Sequence, residues 1–289
     1  MLKKSASFMG SAEDLSSAGA IILGAPLDLT TSFRSGTRFG PEQIRQVSES
    51  LEEYSPGLDR DLSDYKYYDA GDITLPQGLL EESLACIKSA AGQFLRLEKF
   101  LLTLGGEHLL SLPVIETAYQ IHTELAVLHF DAHADFRDEY MGVRLSHATV
   151  IKRVAEVVGG SSVFQLGIRS GSRDELKSAR SQTNFYDGEI ISSLKEVIPA
   201  VGQRPVYITL DIDVIDPAYA PGTGSPEPCG CMPGEIIQAL YLLKDMHVVG
   251  MDLVEVSPAY DPSWRTSILA AKLVREAILL FTPNPSPAG

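Results

Sequence analysis

With 289 residues and 44% hydrophobic content, the chain can bury a sizeable core. Its 38 acidic residues against 24 basic ones leave a net charge of −14, which repels phosphate backbones and anionic membranes, so no nucleic acid and no membrane is expected among its partners. Cys86, Cys229 and Cys231 cannot build a disulfide framework and suit a reducing compartment.

The start, Met1-Leu2-Lys3-Lys4, carries the charge of a secretory leader, but no continuous apolar segment follows it. Nowhere does the chain approach the roughly 18 apolar residues of a membrane span, so a soluble, cytoplasmic protein is expected. The first strand-like run is Ala20 to Gly24, and Gly40-Pro41 then opens a helix to about Glu53, with Pro41 where a missing N–H costs nothing. Phe100 to Leu104 is a second run, ending at Gly105-Gly106 and followed by a helical stretch from about Leu109 to Ile121. Leu125 to Phe130, Val163 to Gly167, Val206 to Leu210 and His247 to Met251 read as further buried strands, and a last helix spans about Ser267 to Phe281. This alternation predicts an α/β fold with a central, mainly parallel sheet. No linker or charge run divides the chain, so one domain over residues 1–289 is expected, with flexible ends at 1–18 and 282–289.

Potential ligands stand where several of these strands end. His108 follows the double glycine, Asp131, His133 and Asp135 follow the third run, and Asp211 and Asp213 follow Leu210. In an open α/β sheet the carboxyl ends of strands are where ligands bind. Singly, an Asp-x-Asp is usually a turn and a strand histidine usually a satisfied core residue. His129, inside its strand, is read in that way and left out of the site. Two imidazoles and four carboxylates without a thiolate suit Mn²⁺ better than a structural Zn²⁺ site. Four carboxylates also exceed the charge of one divalent ion, so a binuclear site is expected, able to acidify a shared water into a hydroxide nucleophile.

Gly105-Gly106-Glu107-His108, Asp131-Ala132-His133-Ala134-Asp135, Ser146-His147-Ala148-Thr149, Asp211-Ile212-Asp213-Val214-Ile215-Asp216-Pro217 and Asp252-Leu253-Val254-Glu255-Val256-Ser257-Pro258 together resemble the ureohydrolases, the family of arginase, agmatinase and relatives. The resemblance runs from near residue 20 to near residue 281. It implies a three-layer α/β/α arginase-like fold, two Mn²⁺ per chain, hydrolysis of a guanidino group to urea and an amine, and self-association as a homotrimer or homohexamer. It further implies that His108, Asp131, His133, Asp135, Asp211 and Asp213 are the metal ligands, and that Asp135 also holds the nucleophile and then its proton. By the same carry-over His147 passes a proton to the leaving amine and Glu255 grips the guanidinium, whose planar cation matches a carboxylate. No dinucleotide fingerprint is present, since Glu227 stands where Gly222-x-Gly224 would need its third glycine.

The loop Phe136-Arg137-Asp138-Glu139-Tyr140 lacks the Asn and Ser arrangement of arginases and looks like that of bacterial agmatinases, as does Ser32 to Pro41. Agmatine, cleaved to putrescine and urea, is therefore the expected substrate, with Asp138, Glu139 or Glu227 as candidates to meet its distal ammonium. N1-aminopropylagmatine, 4-guanidinobutyrate and arginine are the alternatives within the family, and a catalytically silent binding or scaffold relative is the alternative outside it. Glu107 and Leu109 stand where many relatives have Asp and Ser, and Pro226-Glu227-Pro228-Cys229 is a further departure.

Overall fold

Strands and helices alternate along most of the chain, which a computed structural model describes for residues 1–4 and 6–283. In order they are β1 (Leu2–Lys3), β2 (Ala20–Ala25), α1 (Gly40–Ser48), β3 (Tyr54–Ser55), β4 (Arg60–Asp61), β5 (Tyr67–Ile73), α2 (Leu80–Leu95), β6 (Phe100–Gly105), α3 (Ser111–Ile121) and β7 (Ala126–Phe130). The second half follows as α4 (Val150–Val158), β8 (Val163–Leu166), α5 (Arg173–Gln182), β9 (Asn184–Tyr186), α6 (Ile190–Val201), β10 (Val206–Asp211), α7 (Pro233–Leu242), β11 (Val248–Val254) and α8 (Arg265–Phe281). β3 and β4 form a small antiparallel pair. The other nine strands form one sheet in the order β1-β5-β2-β6-β11-β10-β7-β8-β9, parallel except where β1 meets β5.

Side chains alternate between the two faces of this sheet, which makes three layers. Ile22, Leu102, Leu128, Ile208 and Met251 face a core shared with Ile44 of α1, Leu194 of α6, Ile236 of α7 and Leu273 of α8. Ile21, Leu101, Val127 and Tyr207 face a second core with Ile87 of α2, Val114 of α3, Val154 of α4 and Ala179 of α5. The central strands are buried on both sides, which is why they read as unbroken apolar runs.

β6 and β7 follow one another in sequence but are parted in the sheet, because β11 and β10 lie between them. The strand order thus reverses there, and a crevice opens at the carboxyl ends of the four central strands.

Two expectations need correction. The helix after Gly40-Pro41 stops at Ser48, where Ser48 Oγ turns back to the Arg45 carbonyl, rather than running to Glu53. The described residues among 1–18 are not a loose end: Leu2 pairs with Ile73, and Phe8 and Met9 are buried. The anchor is Asp69, whose Oδ2 accepts the Phe8 N–H at 2.8 Å and the Arg45 Nε–H at 2.8 Å. The final residues of the expected flexible tail, 284–289, lie outside the described residues.

Arg45 is 2% exposed and bonds both Asp69 and Asp72. Removing one partner of a buried ion pair leaves the other charge desolvated. Asp69→Ala should therefore cost about 3–5 kcal/mol of stability, read by chemical denaturation; a loss comparable to a surface substitution would contradict this placement of the N-terminal segment.

Candidate metal centre

The loops at the four strand ends are shaped by the ligands themselves. Asp131 Oδ1 accepts the main-chain N–H of His133 at 2.6 Å, and Asp211 Oδ1 accepts that of Asp213 at 2.8 Å. The two-residue spacing in both motifs is thus a carboxylate-capped turn that throws two ligands to the same side. Asp213 Oδ1 accepts the Ala132 N–H at 3.1 Å and ties one turn to the other. After β6, Gly106 runs so close to the Leu27 main chain that a Cβ would meet its carbonyl oxygen at 1.9 Å, and His108 follows from there. Asp135 and Glu255 adopt left-handed backbones, with φ 48° and 64°. Such strained conformations in residues other than glycine gather at functional sites.

All six expected ligands come together, in two groups that share Asp131. His108 Nδ1 lies 3.0, 3.2 and 3.4 Å from Oδ2 of Asp131, Asp135 and Asp211. His133 Nδ1 lies 2.9 Å from Asp213 Oδ2 and 3.5 Å from Asp131 Oδ1. The donor set of the first group fits a cation. Thr209 Oγ1 donates to Asp252 Oδ1 at 2.6 Å, so it accepts from His108 Nε2–H at 2.9 Å, which leaves a lone pair on Nδ1. That atom is buried and makes no hydrogen bond, although three carboxylate oxygens surround it. One proton could serve only one of the three, whereas a divalent ion at their convergence satisfies all four atoms. Oxygen-rich donors with one imidazole per group fit Mn²⁺.

Electrostatics repeats the point. Burial pushes the His108 imidazole down, yet Asp131, Asp135 and Asp211 outweigh it and hold the group well above its ordinary range. Burial and the Asp131 charge raise the Asp135 carboxyl to about 7, and burial with Asp213 and Asp131 raises Asp211 well above the carboxylate range. Without a cation Asp135 and Asp211 resist ionisation, and positive charge placed beside them would reverse that.

Beneath the site, Thr103, Asp252, Thr209, His129 and Gln165 sit side by side across β6, β11, β10, β7 and β8. His129 uses both nitrogens within this row, Nε2 to Asp131 Oδ2 at 2.8 Å and Nδ1 to Gln165 Nε2 at 3.1 Å. Both nitrogens are thus partnered within the row, although His129 also stands close enough to His108 and Asp131 to group with them.

A cavity of about 430 Å³ opens over His133, Asp135, Asp211 and Asp213 and is also lined by His147 and Glu255. Glu255 Oε1 accepts the His108 N–H at 2.8 Å, and burial raises its carboxyl well above the usual range. His147 lies 3.4 Å from Ser32 Oγ through Nε2, with the Tyr140 ring packed edge-on at 5.6 Å; burial holds its imidazole down near 4. Glu107 serves the same wall. Its Oε2 accepts the N–H groups of Leu29, Thr30 and Thr31, and its Oε1 accepts Thr30 Oγ1, which in turn accepts the His147 N–H at 3.0 Å.

The expected contacts to a distal ammonium are not at the cavity, since Asp138, Glu139 and Glu227 are absent from its lining. Asp138 and Glu139 point to solvent at the tip of their loop, with Asp138 3.6 Å from Lys152. Glu227 offers its main-chain carbonyl to Arg169 instead. The outer cavity is lined by Ser32, Arg137, Tyr140, Ser172 and Glu175, residues the sequence reading did not select. Arg137 Nε is paired with Glu175 Oε2 at 3.1 Å, and Glu175 is a helix-capping acid recognisable from Ser172-x-x-Glu175.

Residues 18–280 match the Arginase family. The chain is 46% identical over 277 residues to the agmatinase of Bacillus subtilis, covering 95% of this chain and 96% of the relative. Among solved structures it resembles the agmatine ureohydrolase of Thermoplasma volcanium, with a TM-score of 0.87, 31% identity, and 95% and 94% of the two chains covered. It also resembles the proclavaminate amidinohydrolase of Streptomyces clavuligerus, with a TM-score of 0.88, 32% identity, and 97% and 98% covered.

The two-group geometry predicts that metal-stripped protein takes up two equivalents of Mn²⁺. His133→Ala should keep one, while Asp131→Asn, whose carboxylate serves both groups, should weaken both. Metal content after desalting reads the result, and a single equivalent in the unaltered protein would contradict the arrangement.

Proposed function

The chain belongs to the arginase family, and on that premise we propose that it hydrolyses the guanidino group of agmatine to putrescine and urea. The observation that carries the reading is the buried Glu255 carboxylate lining the same cavity as His133, Asp135, Asp211 and Asp213, four of the six converging ligands. A buried carboxylate raised by desolvation gains most from a permanently charged partner, and a guanidinium offers it two parallel N–H donors. The relatives named as agmatinases support the choice of substrate.

Two manganese ions, held by His108, Asp131, His133, Asp135, Asp211 and Asp213, would supply a water acidic enough to attack near neutral pH. Asp135 turns Oδ2 towards His108, so Oδ1 is the atom left to hold the proton of the nucleophile. Glu255 orients the guanidinium carbon towards that nucleophile. His147, on the wall fixed by Glu107 and Thr30, delivers a proton to the departing nitrogen. The Arg137 charge is already paired with Glu175, so the outer cavity offers a substrate carboxylate no unpaired arginine there. That favours agmatine over 4-guanidinobutyrate or arginine. With three free cysteines and no helix long and apolar enough to cross a membrane among the described residues, the cytoplasm is the proposed location.

Urea release from manganese-loaded protein should be fastest with agmatine when compared with N1-aminopropylagmatine, 4-guanidinobutyrate and arginine. Asp135→Asn should lower kcat by about 10²-fold or more with the fold unchanged. Preference for a carboxylate-bearing substrate would overturn the choice of agmatine, and full activity in the variant would overturn the role of Asp135.

A further inference from the structure

Asp131 is the shared member of the two ligand groups, and its two oxygens are held in different ways. Oδ1 is held by the main-chain N–H of His133, a contact that the turn itself provides. Oδ2, the oxygen 3.0 Å from His108 Nδ1, is held by His129 Nε2 at 2.8 Å. That bond depends on a second side chain from the next strand. Gln165, buried on β8, donates its amide both to the Ala134 carbonyl at 2.9 Å and to His129 Nδ1 at 3.1 Å. Its Oε1 accepts from Thr183 Oγ1 at 3.0 Å. Turning the amide over would set Oε1 against the Ala134 carbonyl, so the NH₂ group must face His129. His129 Nδ1 is then an acceptor, and the ring hydrogen sits on Nε2, where it is donated to Asp131.

We propose that Gln165 and His129 form a positioning relay that selects one imidazole tautomer and thereby holds Asp131 Oδ2 for the ion on the His108 side. Neither residue lines the cavity, so neither touches substrate. The relay rests on the two-ion reading given above, and it adds that one of the two ions depends on side chains buried one row below the ligands. Partners of this kind outside the ligand set typically govern metal affinity by about 10–100-fold.

The test is calorimetric titration of metal-stripped protein with Mn²⁺, with circular dichroism and chemical denaturation of each metal-free variant as the check on folding. His129→Leu should weaken one of the two binding steps by about 10–100-fold and leave the other within about threefold. His129→Gln, which can return an N–H near the place of Nε2, should recover most of the loss. A purely structural role would lower the stability of the metal-free protein without singling out one step. Folded H129L with both steps unchanged, or H129Q as weak as H129L, would overturn the relay. Should H129L not fold, Gln165→Met decides by the same criterion, with the same single step weakened or not. An unaltered protein that binds fewer than two ions would overturn the two-ion reading instead, so the two failures are distinguishable.

Discussion

The carboxylates packed with two imidazoles into this buried crevice repel one another unless positive charge lies among them, and the ligand loops are arranged around that constraint. Burying an unpaired charge costs several kcal/mol, so the ligands are not simply placed but held. Asp131 and Asp211 each cap their own turn, Asp213 binds the Asp131 turn, and Thr209 and Asp252 fix the imidazole of His108 from below. The lone pair that this leaves on His108 Nδ1, facing three carboxylate oxygens, makes the centre incomplete as a set of protein atoms and complete around a metal ion.

The sheet order explains why these residues meet although they are far apart in sequence. β10 and β11 enter between β6 and β7, so the ends of the four strands that carry His108, Asp131, Asp211 and Glu255 become adjacent. The same crevice takes its wall from the segment after β2, because Glu107 collects three of its main-chain N–H groups. A glutamate at that position has the reach to do so and also to fix Thr30 beneath His147. The departure noted in the sequence is therefore a structural link between the loop that carries His108 and the one that carries His147.

The central strands were legible in the sequence because burial on both faces leaves an unbroken apolar run, and the ligands were legible because they follow such runs directly. β5 was not, since Tyr67-Tyr68-Asp69-Ala70-Gly71-Asp72-Ile73 carries two acids and a glycine. Asp69, buried, and Asp72, half-buried, pair with Arg45, a partner 24 or more residues away that no local pattern reveals. The polar row under the site was hidden for the same reason: Thr103, His129, Thr209 and Asp252 each interrupt an apolar strand singly, and only the register shows them to be neighbours. Loop composition gives the charge of Asp138 and Glu139 but not their direction, which is outward, apart from the cavity lining. Glu175 was passed over because its capping role belongs to a helix whose apolar pattern is weak.

Anomalous diffraction at the manganese edge from manganese-loaded crystals tests most directly whether two ions share the Asp131 carboxylate. Two peaks are predicted, one among His108 Nδ1, Asp131, Asp135 and Asp211, the other beside His133 Nδ1 and Asp213, with Asp131 in contact with both. A single peak, or two peaks of which Asp131 touches only one, would contradict it.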